Sequence, residues 1–204
     1  SRGLGDVYKR QDDNTAEICG YTGKNAVVTV PDSIDSKPVT SIGRTAFYSG
    51  KIKEVTIPNT VKNIKWWAFY GCESLEKINL NFGLKTVGYG AFMNCKNLKS
   101  VSIPMSVTQI CDDSFAVSCS TKKGVFDTYS KQTISTQQYS TDSSFTLDGY
   151  SGTVAEKYCN DNSLNFVSSG NVIYGDVNNN GTVEAADAKP VSYTHLRAHE
   201  TLAN

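Results

Sequence analysis

The sequence predicts a mainly-β solenoid built from stacked units of about 23 residues. Three observations predict it. First, the segments 54–78, 77–101 and 100–119 align, so that Ile57, Leu80 and Ile103, then Ile64, Val87 and Ile110, then Phe69, Phe92 and Phe115 each recur 23 residues apart. Second, each unit opens on an alternating run, Val55-Thr56-Ile57, Ile78-Asn79-Leu80 and Val101-Ser102-Ile103, which is strand periodicity. Third, a unit this short cannot bury its own apolar side chains, so neighbouring units must stack to make one core.

The elements follow in order. An opening unit contributes Val30-Pro31, Ile42 and Phe47, with residues 33–38 (SIDSKP) inserted. In each later unit the alternating strand is followed by a second short apolar run, Val61 to Ile64 or Leu84 to Val87, and then by Ala-Phe at 46–47, 68–69 and 91–92. Stacking places equivalent residues one strand spacing apart, about 4.8 Å. Phe47, Phe69, Phe92 and Phe115 are therefore expected to form an internal spine. Lys53, Thr56, Lys77, Asn79, Lys99 and Ser102 are expected on the exposed strand face, which suits a protein or glycan ligand. Trp66, Trp67 and Tyr89 precede the Ala-Phe column in a surface turn and are candidates for the same ligand. Packing of Trp66 or Trp67 over the next coil is the competing role. Residues 120–144, rich in Ser, Thr, Gln and Lys, carry no repeat and read as a loop insertion.

Composition narrows the function. The chain has 20 basic and 20 acidic side chains, which argues against a nucleic-acid partner or a polybasic membrane anchor. No stretch approaches the roughly 18 apolar residues of a membrane span. Residues 1–11 (SRGLGDVYKRQ) and 190–204 (PVSYTHLRAHETLAN) share none of the periodicity between them. Both resemble strings found at the ends of unrelated predicted proteins where sequencing-adapter bases have been translated, and both are set aside as artefact tails. The first end holds three basic side chains and one acidic, the second one of each, so residues 12–189 keep 16 basic and 18 acidic side chains. The two histidines, His195 and His199, both lie in the second tail. A signal peptide is then presumed lost with the true N-terminus.

The repeat resembles the BspA-like leucine-rich-repeat family of secreted and surface proteins, whose unit reads approximately L-x-x-V-x-I-P-x-x-V-x-x-I-G-x-x-A-F-x-x-C. Leu98, Val101, Ile103, Pro104, Val107, Ile110, Phe115 and Cys119 carry the pattern, with one extra residue before the cysteine. Asn81 stands where the pattern has Pro, and Ser114 where it has Ala. The resemblance covers about 16–168 within a leucine-rich-repeat solenoid of 12–168. It implies a closing unit at 145–168 of strand, Gly-rich turn, short helix and strand. It also implies that the cysteine column of Cys72, Cys95 and Cys119 is buried. Free thiols suit that column, although a disulfide between adjacent coils such as Cys72–Cys95 is geometrically conceivable. No C-x-x-C pair supports structural zinc.

One motif carries explicit chemistry. In GDVNNNGTVEAADAK, Asp176, Asn178 and Asn180 fall at positions 1, 3 and 5 of a calcium loop, Gly181 at 6, Thr182 at 7, Glu184 at 9 and Asp187 at 12. A hard cation takes six to eight oxygens, and alternate loop positions converge on one centre. Thr182 would give its backbone carbonyl, Glu184 would act directly or through water, and Asp187 would close the site. Asn180 removes one charge and weakens it. The segment resembles the first calcium-binding segment of a type I dockerin, so 169–189 reads as a half-dockerin. That resemblance implies a Ca²⁺ cofactor, a cohesin module of a scaffoldin as partner, and cohesin contacts at Ala185 and Ala186.

Residues 12–189 hold no histidine for a Ser-His-Asp or Cys-His arrangement. They hold no phosphate-cradling Gly-Lys-Ser/Thr loop either. The acidic pair Asp112-Asp113 falls in a turn and reads as solvated rather than as a glycosidase dyad. The leading function is a non-enzymatic binding or adhesion module, extracellular or on the cell surface, tethered through the dockerin. Two alternatives stand beside it. One is a fragment of a larger cellulosomal glycoside hydrolase or peptidase whose catalytic domain is missing; the other is a structural spacer.

Overall fold

The computed structural model describes residues 7–11, 14–122, 126–127, 132–133 and 136–171, with side chains for 14–120 and 138–170. Its elements are β1 (Val7–Gln11), β2 (Ala16–Tyr21), β3 (Val27–Thr29), β4 (Ser33–Ile34), β5 (Lys37–Ile42), β6 (Glu54–Thr56), β7 (Asn63–Ile64), β8 (Lys77–Asn79) and β9 (Thr86–Val87). They continue with β10 (Ser100–Ser102), β11 (Gln109–Ile110), β12 (Val117–Lys122), β13 (Phe126–Asp127), β14 (Gln132–Thr133), β15 (Thr136–Thr141), β16 (Thr146–Ser151), α1 (Val154–Asn162) and β17 (Asn165–Asn171).

Each coil has three sides. The alternating runs form one, with β3, β6 and β8 parallel and Val28, Val55 and Ile78 in register. The same side resumes as β10, β16 and β17, also parallel. The second apolar runs form the next side, where Ile42, Ile64, Val87 and Ile110 pair in register across β5, β7, β9 and β11. The third side is the Ala-Phe turn. There Phe47 N–H donates to Ala68 O at 2.7 Å, Phe69 to Ala91 at 2.8 Å and Phe92 to Ser114 at 2.9 Å. Alternate residues bond within their own coil, as Tyr48 N–H does to Thr45 O at 3.1 Å. This alternation gives nearly every backbone N–H in a tight turn a partner. It goes with left-handed backbone at Thr45, Trp67, Gly90 and Asp113, at φ of 54–57°, and again a few residues on at Ser49, Gly71, Asn94 and Ala116.

The spine is present. Phe47, Phe69, Phe92 and Phe115 stack at 4.8, 5.1 and 4.9 Å between centroids, each within 8° of parallel and each no more than 1% exposed. Phe145 extends it at 5.9 Å. Tyr21 closes one end, and Tyr158 of α1 closes the other edge-on to Phe115, its hydroxyl accepting the Phe115 N–H at 3.1 Å. The closing unit has the expected strand, helix and strand. The two departures from the repeat explain themselves locally. Ser114 buries its hydroxyl by donating to Gly88 O at 2.9 Å, and Asn81 donates its amide to Ile57 O in the coil before.

Three expectations change. The 120–144 stretch is not an irregular loop throughout: β12 and β15 pair antiparallel from Val117↔Thr141 to Lys122↔Thr136, and β13 pairs β14. A polar Ser/Thr/Gln segment can form such a ribbon because β-branched residues favour strands and neither face needs an apolar period. Cys119 therefore leaves the cysteine column and sits in β12 opposite Tyr139. Cys72 and Cys95 remain in the column as free, buried thiols that donate to Phe47 O at 2.9 Å and Phe69 O at 3.2 Å. Burial pushes the Cys72 thiol up to about 12 and Cys95 well above its usual value. Last, the backbone of 7–11, set aside as a tail, forms β1 antiparallel to β2 at the outer edge of the sheet.

Candidate functional site

The strand face brings the predicted ligand residues together, but most of them are paired with acids of neighbouring coils. The Lys77 ammonium meets the Glu54 carboxylate at 3.0 Å, and the Asn79 amide donates to Glu54 Oε1 at 2.9 Å and to Thr56 Oγ1 at 3.2 Å. Lys77 and Asn79 together hold the Glu54 carboxyl below its usual value. Lys53 and Lys99 each stand just ahead of their strand rather than within it, and pair with Glu76 at 3.4 Å and Asp142 at 2.8 Å. Ser102 donates to Asp148 at 3.0 Å. Glu54, Glu76, Asp142 and Asp148 are the residues that sequence reasoning left off this face. A column rule that matched lysines across units without their in-register acids could not show them.

The turn face differs. Tyr48 and Tyr70, equivalent residues of adjacent coils, stack at 5.5 Å and within 2° of parallel. Trp67 meets Tyr89 edge-on at 6.2 Å. These rings, with Thr45 and Met93, line an open cleft of about 270 Å³. The arm formed by β12 and β15 supplies the remaining wall through Cys119 and Tyr139. Tyr139 was not among the sequence candidates, because it lies in the segment read as a loop.

Neighbouring residues fix the cleft. The Asn94 amide donates to the Tyr70 hydroxyl at 3.1 Å and to Cys119 O at 3.2 Å, and its oxygen accepts the Cys119 N–H at 2.7 Å. One side chain thus pins the base of the arm and orients a ring. Burial raises the Tyr70 phenol. A hydrogen bond from its hydroxyl to the Asp113 carboxylate, followed by burial, raises Tyr89. The Arg44 guanidinium lies 4.8 Å over the Trp67 ring.

Both tryptophans lie against glycines of the next coil. A Cβ on Gly90 would fall 2.7 Å from Trp67 Cδ1, and one on Gly88 would fall 2.9 Å from Trp66 Cδ1. Trp67 is half-buried by this contact and enters the cleft, whereas Trp66 stays 58% exposed outside it. The structure therefore joins Trp67 and Tyr89 and leaves Trp66 apart. Asp176, Asn178, Asn180, Thr182, Glu184, Ala185, Ala186 and Asp187 lie outside the described residues. Among the described residues no three His, Cys, Asp or Glu side chains gather as a metal group, and no helix is long and apolar enough to cross a membrane.

Residues 28–146 match the family model described as BspA type leucine rich repeat region, in six copies. Among solved structures, the leucine-rich repeat protein of T. pallidum is 29% identical with a TM-score of 0.55, over 57% of this chain and 56% of that one. A leucine-rich repeat protein from Bacteroides capillosus is 31% identical with a TM-score of 0.51, over 54% of this chain and 86% of that one. This chain therefore spans little more than half of the T. pallidum protein. None of the curated proteins matches it.

Proposed function

The chain belongs to the BspA-type leucine-rich repeat family, and from that premise we propose that it is a non-enzymatic binding module of a secreted or cell-surface bacterial protein. One observation carries the reading. Five aromatic side chains stay partly exposed around a cleft, although the stacked core is complete without them. Leaving such area in water forgoes its burial energy, and a clustered patch of this kind fits a binding surface. The solenoid scaffold supports the same reading, because its outward side chains vary without cost to the spine.

The tether is the segment 176–187. Its donor set of Asp176, Asn178, Asn180, the Thr182 carbonyl, Glu184 and Asp187 suits Ca²⁺, with an affinity on the order of 10⁻⁴–10⁻³ M for an unpaired loop. A loaded loop would present Ala185 and Ala186 to a cohesin module. Calorimetry of the full chain against Asp176→Ala tests the loop, since equal heats in millimolar calcium would remove it. For the binding reading, the full chain is passed over immobilised glycans and extracellular proteins. Saturable retention on one of them, competed by soluble chain, is expected. Retention on none would leave the module a spacer.

A further inference from the structure

We propose that the turn-face cleft is a subsite for an uncharged glycan, with Tyr48, Trp67, Tyr70, Tyr89 and Tyr139 as its stacking platform. The proposal rests on the binding-module reading above and names its ligand class. Three observations carry it.

The first is charge. Charged residues make up 20% of the chain, yet none of the described residues lining the cleft is charged. Of the charges beside it, the Arg44 guanidinium is engaged on the Trp67 ring, and the Asp113 carboxylate raises the Tyr89 phenol. A cleft without an ionic partner to offer disfavours phosphate, sulfate, uronate or a charged peptide, whose desolvation it could not offset. It fits a neutral ligand.

The second is chemistry. A sugar ring presents an apolar face of C–H bonds polarised by adjacent hydroxyls, and a rim of hydroxyls. Aromatic faces carry negative charge density that meets such C–H groups. The Tyr70 hydroxyl, accepting from Asn94, keeps its proton to donate to the rim, and the Thr45 hydroxyl, donating to Arg44 O, keeps lone pairs to accept from it. Held by Asn94, Tyr70 is oriented in advance, which lowers the entropy lost on binding.

The third is shape. At about 270 Å³ the cleft sits just under the ~300 Å³ at which small-molecule sites begin. At its edge Tyr48, 59% exposed at the first coil of the row, extends the platform for a longer glycan chain.

The test uses the full chain and tryptophan fluorescence, confirmed by calorimetry. The probes are tetrasaccharides of glucose, xylose, mannose and galactose, a heparin tetrasaccharide and a proline-rich decapeptide. At least one neutral tetrasaccharide is expected to saturate the signal. Tyr48→Ala and Tyr139→Ala, both at exposed positions, should each weaken it about fivefold with the melting temperature kept. Trp66→Ala, outside the cleft, should leave it unchanged. Binding of heparin or the decapeptide alone overturns the proposal, as does binding of no probe, or a Trp66→Ala loss equal to that of Tyr48→Ala. If neutral sugars fail while retention on an immobilised protein survives combining Tyr48→Ala with Tyr139→Ala, the cleft falls and the binding module stands. If the wild-type chain is retained by nothing, the module reading falls with it.

Discussion

On the strand face, Glu54 and Lys77 meet at 3.0 Å and Lys53 and Glu76 at 3.4 Å. On the turn face of the same coils, Tyr48 and Tyr70 stack at 5.5 Å. Both are ladders of equivalent positions, repeated because coils stack in register. The strand ladder alternates in charge, so its members neutralise one another and offer a ligand little that is unspent. The turn ladder repeats one chemical type, and parallel rings leave outer faces and edges open. A solenoid's binding surface is therefore better sought where a column repeats an unsatisfied group than where it is merely exposed.

The comparison can be pressed at four points. Phe92 lies under both faces, and Phe92→Ala should cost about 3–5 kcal/mol in denaturant unfolding. A loss below about 1 kcal/mol would mean that the two faces do not share a spine. Gly90→Ala touches the turn face alone. It places a Cβ 2.7 Å from Trp67 at φ +57°, and should cost about 1–2 kcal/mol while shifting Trp67 emission. An unchanged spectrum would show that Gly90 does not seat the indole.

Asp142 tests the strand side. Lys99 first, then Ser144 through its hydroxyl and N–H, hold its carboxyl at about 2 against 3.8. A lowered carboxyl stabilises the fold above the unfolded value and loses that contribution as pH falls from 3.8 through about 2. The pair is exposed to screening, so Asp142→Asn should cost no more than about 1 kcal/mol at neutral pH. The difference from wild type should close in acid, and a gap that is constant with pH would assign the loss to packing. The smallest effect is expected outside both faces. Deleting residues 1–11 removes the edge strand β1 and should move the melting temperature by less than about 3 °C. A larger drop would show that β1 contributes to stability beyond its edge pairing.

The spine and the two strand-bearing sides were legible in the sequence, and the burial of Cys72 and Cys95 was implied by the family resemblance. A period of 23 residues leaves only one way to bury the Ile, Val and Phe columns together. Trp67 and Tyr89 could be named from their place before Ala-Phe. The arm and Tyr139 could not, because an antiparallel ribbon of Ser, Thr and Gln has no apolar period to announce it. Nor could the pairing of the strand-face lysines, since it depends on which column faces which acid after stacking.

The sequence by itself determined which side chains go inside: burial follows periodicity, and periodicity is written along the chain. Only the tertiary structure decided which exposed groups satisfy one another and which remain open. That depends on register between coils, on Gly90 giving Trp67 room to lie over the next coil, and on Asn94 holding a distant arm against it. Those are distances between residues 23 or more apart, and no local pattern fixes them.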